Sequence, residues 1–196
     1  MKMIGHVAMA VLVASPIIHY RSLVPTLDCP QLSDMQLLWW AGVWSAVPDF
    51  DIMLSRWTPI KHRGFLSHSL LTVALAVAAV LAGWLHLTVF PHPVETLSWL
   101  YPHLETFTPF LLPQTAALAG LSILAHLIGD SITKTGVPLF RPGAMWHFPL
   151  IGGHATFDSY ALNMVPVFAA GYVLNTWFGM GLWALSKLGR WGSVPA

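Results

Sequence analysis

Charge is scarce in this sequence. Only 9% of its 196 residues are Asp, Glu, Lys or Arg, where a soluble domain that must coat itself with polar groups carries about 25%. That shortfall excludes an ordinary water-soluble globule and leaves lipid as the solvent for much of the surface. Cysteine is nearly absent too. Cys29 is the only one, which rules out a disulfide framework and a thiolate metal site, so metal ligands have to come from His, Asp, Glu or the backbone. The net charge is +1, and no basic patch interleaved with aromatics is present, so no nucleic-acid contact is expected. There is no Walker loop, no GxGxxG and no nucleophile elbow. No repeat, low-complexity tract or long linker divides the chain, and residues 1–196 read as a single membrane-embedded domain.

What the sequence does have is apolar length. Hydrophobic residues make up 56% of the chain and the mean hydropathy is +0.65. Ten tryptophans and several prolines lie near the ends of the apolar runs, as an interfacial aromatic belt requires. Five helices are predicted, over Lys2–Tyr20, Asp34–Val47, Ser67–Phe90, Leu112–Ile132 and Asp158–Lys187, the last interrupted or kinked at Pro166. The expected fold is an all-α, polytopic membrane bundle of about five helices. The second run is short for an untilted span and is open to a re-entrant reading. A cleavable signal peptide is the competing account of the first run, although Pro16 fits a small-residue cleavage motif poorly. Pro91–Pro109 is the longest loop and is expected to lie along the interface.

If all five helices cross, the N-terminus and the 48–66 and 134–157 loops share one side. That side holds Lys2, Arg56, Lys61, Arg63, Lys134 and Arg141, six of the nine basic residues. The positive-inside rule puts it in the cytoplasm of a bacterial-type inner membrane. Asp49, Asp51, Asp130 and Asp158 fall on the same side, and Asp28, Asp34, Glu95 and Glu105 on the other.

Every acid on the basic side lies in a His-containing segment or next to one. His126 and Asp130 are four residues apart, so both project from one helix face and can reach one ion; a carboxylate–histidine hydrogen bond without metal is the plainer alternative. His154 and Asp158 repeat that spacing at the start of the fifth helix. Asp49 and Asp51 follow Pro48, and in extended geometry alternate residues share a face; the alternative is a solvated turn with Asp51 capping a short helix. In the stretch from His62 to Ser69, His68 is a candidate ligand, His62 and Arg63 suit an anionic substrate or transition state, and Ser67 reads as a helix cap. His6 joins the set by its side of the membrane, His147 is ambiguous, and His19, His86, His92 and His103 read as interfacial. The candidate metal ligands are thus His6, Asp49, Asp51, His68, His126, Asp130, His154 and Asp158, with Asp51, Asp130, His62 and Arg63 as candidate catalytic residues. Mixed imidazole and carboxylate donors suit zinc, with manganese or iron as options, better than calcium or magnesium. One to three ions are expected.

Gly5-His6, Pro48-Asp49-Phe50-Asp51, His62-Arg63-Gly64-Phe65 with His68-Ser69-Leu70-Leu71, and His126 through Asp130 leading to Thr133 and Gly136-Val137-Pro138-Leu139 together resemble the small inner-membrane YdjM family of metal-dependent hydrolases, some of which are described as LexA-regulated. The order of His and Asp motifs is also similar to that of the helical zinc phospholipase C and P1-type nuclease group. That resemblance implies a zinc cluster and phosphodiester hydrolysis. The chain departs from that group after Asp130, where Thr133, Thr135 and Gly136 stand in place of a further histidine and His147 is the only obvious substitute. The function expected is cleavage of a lipid or other interfacial phosphoester by metal-activated water. A small membrane transporter or metal-handling protein, and a scaffold whose His/Asp metal site is structural, are the alternatives.

Overall fold

The computed structural model describes residues 2–23, 30–58, 62–89, 112–148 and 160–180. Among these the fold is all-α, with six helices and no strand. They are α1 (Met3–His19), α2 (Asp34–Ala46), α3 (Phe50–Leu54), α4 (Leu70–Val89), α5 (Pro113–Ser131) and α6 (Tyr160–Phe178). A short 3₁₀ turn, Arg21–Leu23, follows α1.

Local chemistry accounts for the helix starts. Ser33 and Gln36 form a reciprocal capping box at the start of α2, satisfying two backbone N–H groups that have no partner within the helix. Pro113 opens α5, where its missing N–H costs nothing. The Ser69 hydroxyl accepts from the Leu71 N–H at the start of α4, so Ser69 does the capping expected of Ser67. Helix α6 runs through Pro166 without interruption. The Pro48 segment is not extended. It turns directly into α3, a helix of five residues with Asp51 inside it.

Helix directions follow from paired residues. Ile18 and Leu118 pack in one cluster at one end of the α1–α5 pair, while His6 meets Asp130 at the other, so these two helices are antiparallel. Helices α4 and α5 are also antiparallel, with Val80 against Ala116 and Ala119 and Ala76 against Ile123 and Leu127. Gly120 makes that approach close: a Cβ there would stand 2.8 Å from Val77 Cγ2. The Lys2 N–H donates to Asn163 Oδ1 at 2.6 Å, and His19 stacks on Trp177, so α1 and α6 run parallel. The consequence for the site is geometric. The starts of α1 and α4 and the ends of α2 and α5 meet at one end of the bundle.

Among the described residues no helix is long and apolar enough to cross a membrane. The expected crossings are therefore not visible as such. The outer faces are nonetheless apolar, with Leu75 and Leu85 on α4 and Val165, Phe168 and Tyr172 on α6 all exposed.

Candidate metal centre

Four residues from three parts of the chain converge where those helix ends meet. One donor atom from each of Asp49, His68, His126 and Asp130 lies within 4.8 Å of all the others. The two histidine Nε2 atoms are 3.3 Å apart. Asp130 Oδ2 sits 3.5 Å from His68 Nε2 and 3.6 Å from His126 Nε2. Asp49 Oδ1 is farther, at 3.9 and 3.8 Å from the same two nitrogens. A tetrahedral zinc with bonds of about 2.0–2.1 Å needs its donors about 3.3–3.4 Å apart. The His–His–Asp130 trio is close to that spacing, and Asp49 would have to move by a few tenths of an ångström. The donor set fits a divalent ion.

The surroundings orient these donors. His126 Nδ1 lies 2.7 Å from the Ser45 carbonyl oxygen. A carbonyl can only accept, so Nδ1 carries the proton and Nε2 presents its lone pair to the cluster. His68 is held likewise, with Nδ1 3.0 Å from Ser67 Oγ and 3.3 Å from Asp51 Oδ2. Metal-ligating histidines are typically fixed in this way, by a carbonyl or carboxylate on the other ring nitrogen. On Asp130, Oδ1 accepts from Arg63 Nη2 at 2.8 Å and lies 3.2 Å from His6 Nε2, which leaves Oδ2 turned toward the two histidines. The His6 ring stacks on His126, with centroids 3.7 Å apart.

Asp51 serves the cluster from behind. Its carboxylate accepts from the Ser67 hydroxyl at 2.5 Å and from the Arg63 backbone N–H at 2.8 Å, and meets His62 Nδ1 at 2.7 Å. Burial alone would raise its pKa. The bonds from His68, Ser67 and His62 outweigh burial and hold it below the usual carboxylate range. Burial conversely pushes His68 down, yet the hydrogen bonds and charges of Asp130 and Asp51 leave it above its ordinary value. The raised pKa of His68 reflects the two carboxylates beside it, and the lowered pKa of Asp51 reflects the donors that surround it.

Arg63 links the two carboxylates. Its backbone N–H goes to Asp51, and its guanidinium goes to Asp130, Thr133 and Thr135. It is also the one described residue other than glycine with positive φ, at 57°, a conformation that costs about 1–3 kcal/mol and persists only where surrounding bonds impose it.

The candidates from the sequence therefore separate by place. Asp49, His68, His126 and Asp130 share the donor group. His6 and Arg63 bind the outward oxygen of Asp130, and Asp51 and His62 form a pair behind His68. Asp49 and Asp51 do not address one point, because the chain between them is helical. His154 and Asp158 lie outside the described residues, as do His92, His103 and Pro91–Pro109. His147 is not in the donor group; its Nδ1 is 3.3 Å from the Thr133 carbonyl oxygen. Two participants had no sequence signal: the Ser45 carbonyl, a group every residue has, and the Thr133/Thr135 hydroxyl pair. These two threonines hold the Arg63 guanidinium.

The model of one protein family, described as YdjM inner membrane protein, matches residues 1–191. The chain belongs to that family. No curated protein and no solved structure matches it. For this YdjM family member, the expected similarity to zinc phospholipase C and P1-type nuclease finds no support in these comparisons.

Proposed function

We propose that this YdjM protein is a membrane-embedded, metal-dependent hydrolase that cleaves a phosphoester at the lipid headgroup level. The observation that carries the proposal is the unequal spacing of the donors. Three lie at 3.3–3.6 Å from one another, while Asp49 stands back at 3.8–3.9 Å. Three close protein ligands plus one yielding position is the pattern of a catalytic zinc site, whereas four equal ligands make a closed structural one.

A divalent ion at His68, His126 and Asp130 would supply an activated water and an electrophilic partner for a phosphoryl oxygen. The chain's own groups do the rest. Asp49, next to that position and partly exposed, is placed to accept a proton from water. Asp51 and Ser45 keep the two imidazoles in the tautomer that offers Nε2. Arg63 and His6 compensate the charge of Asp130, so that burial does not protonate it. The His62 ring, 40% exposed, is in reach of solvent and is the candidate to return a proton to a leaving group. The nitrogen and oxygen donors favour zinc, then manganese or iron.

Embedding in the inner membrane is supported by the family's description and by the apolar outer faces. Helices α1, α4, α5 and α6 have 17 to 20 residues, about 26–30 Å of helix. Helices this short span by local thinning of the bilayer and snorkelling of flanking residues. The basic residues Lys2, Arg56 and Arg63 near the cluster favour a cytoplasmic side for that end and the N-terminus by the positive-inside rule.

The test pairs elemental analysis of detergent-purified protein with a hydrolysis screen over a generic phosphodiester and phospholipids. Metal bound near one equivalent, with ester cleavage that disappears in Asp130→Asn, is the expected result. Full activity in Asp130→Asn would sink the proposal. A second reading, a closed structural metal site, is favoured by the fact that Asp49 completes a four-donor set. It predicts metal that stabilises the fold with no exchangeable water and no cleavage.

A further inference from the structure

Of the four donors, three are sealed from solvent. His68, His126 and Asp130 have no exposed side-chain surface, and only Asp49, with its side chain 18% exposed, reaches the outside. What lies outside it is a groove of about 530 Å³ between the start of α1, the end of α2 and α3, within the size range of small-molecule sites. Lys2 and Arg56 line this groove together with Asp49, and the remaining walls are apolar, chiefly Met3, Phe50 and Met53. Arg21 and Arg63 have carboxylate partners; among the described residues Arg56 has none. Among the described residues the mouth sets the cations Lys2 and Arg56 beside the single carboxylate of Asp49, a setting that can hold an anion.

The groove continues. A second depression of about 400 Å³ shares Met3, Ala46 and Phe50 with the first and follows the α1–α2 seam past Gly42 to Trp39. Among the described residues none lining that stretch is charged. From Ala46 back to Leu38 the helix rises about 12 Å. Gly42 leaves the floor low: a Cβ there would meet only Val7 Cγ1, at 3.5 Å. A cationic mouth at the exposed edge of the donor cluster thus opens onto an apolar trough of about one half-helix in length.

We propose that this trough binds a long-chain phosphate ester, its phosphate held between Lys2 and Arg56 beside Asp49 and its hydrocarbon chain laid along the α1–α2 seam. The inference rests on the hydrolase reading for the fate of the ester, but the binding itself uses no group of the metal centre other than the edge of Asp49. It identifies the substrate class as a lipid phosphate rather than a water-soluble ester.

Dodecyl phosphate is the probe, titrated by calorimetry into full-length protein in a non-ionic sugar detergent, with butyl phosphate, inorganic phosphate and dodecanol as comparisons. Wild type should bind dodecyl phosphate at least tenfold more tightly than each of the other three. Arg56→Gln should weaken both esters about tenfold. Gly42→Leu, which fills the trough, should weaken dodecyl phosphate to a similar degree and leave butyl phosphate unchanged. Met53→Glu, an exposed site that cannot disturb packing, should reproduce the Arg56→Gln effect if Gly42→Leu fails to fold. Unaltered metal content certifies each variant as folded. Dodecanol binding as well as its phosphate would mean an unselective lipid coat, and inorganic phosphate binding as well would mean a free-phosphate site; either overturns the proposal, as does indifference to the substitutions. Specific binding without cleavage by the metal-loaded protein would refute the hydrolase reading and leave the groove standing.

Discussion

At one end of the bundle Arg21 and Asp34 form an ion pair 3.2 Å long in which Asp34 stays 44% exposed; at the other, Arg63 pairs with Asp130 at 2.8 Å and Asp130 is wholly buried. His19 at the first end rests on Trp177 and, among the described residues, has no carboxylate beside it, whereas His126 at the second has a carbonyl on one ring nitrogen and Asp130 near the other. The residue types are the same and the solvent differs. Water stabilises the first pair whether or not it forms, so such pairs are worth about 0–1 kcal/mol. The second pair has lost its water, and removing one partner of a buried pair costs about 3–5 kcal/mol. A protein retains such an arrangement when it needs the buried charge for something other than stability.

The comparison is broken most severely at Asp130. Asp130→Asn should abolish bound metal and lower stability by about 3–5 kcal/mol, because the Arg63 guanidinium is left beside a neutral amide; thermal unfolding and elemental analysis read both. Asp51→Asn should act on the same end more gently. With the support behind His68 weakened, metal affinity should fall about 10–100-fold in a competition titration against a chelator, with the fold retained. Gly120→Val separates packing from charge. The added methyl groups meet Val77, so about 1–3 kcal/mol of stability should be lost, while metal affinity in the folded protein stays at the wild-type value. Asp34→Asn should do least, changing stability by less than about 1 kcal/mol and metal content not at all. Equal effects from Asp34→Asn and Asp130→Asn would show that the two ends do not differ in kind.

Much of this was legible in the sequence because it is periodic or local. Apolar runs located the long helices among the described residues, since a helix must bury or embed its apolar face. Most ends agree within three residues, the largest shift at a start being that of α4, where Ser69 rather than Ser67 caps. The last helix ends at Phe178, and the expected end at Lys187 lies outside the described residues. The one-turn spacing of His126 and Asp130 has a single geometric meaning in a helix, and their donor atoms do lie 3.6 Å apart. The sequence leaves Asp49 and Asp51 open between a shared face and a turn into a short helix, because five residues, Phe50–Leu54, are too few to show a helical period. In a helix, residues two apart point to nearly opposite sides, so the two aspartates found different partners. The contacts of Arg63 with Thr133 and Thr135 span about seventy residues and leave no local pattern. Nor does the apolar seam beside Gly42, which exists only once α1 and α2 are packed.

The left-handed backbone at Arg63 bears on which residues this position tolerates. The φ of 57° is one that glycine adopts freely and other L-residues resist. The bonds to Asp130, Thr133 and Thr135 need a forked, permanently charged side chain, which lysine does not provide. Glycine would relax the chain and leave a buried carboxylate without its cation; lysine would keep the charge and the strain but lose the fork. No single replacement meets both demands, so substitutions at position 63 should be among the least interchangeable in the protein, and a compensating change would have to be sought at Asp130 rather than in the neighbouring loop.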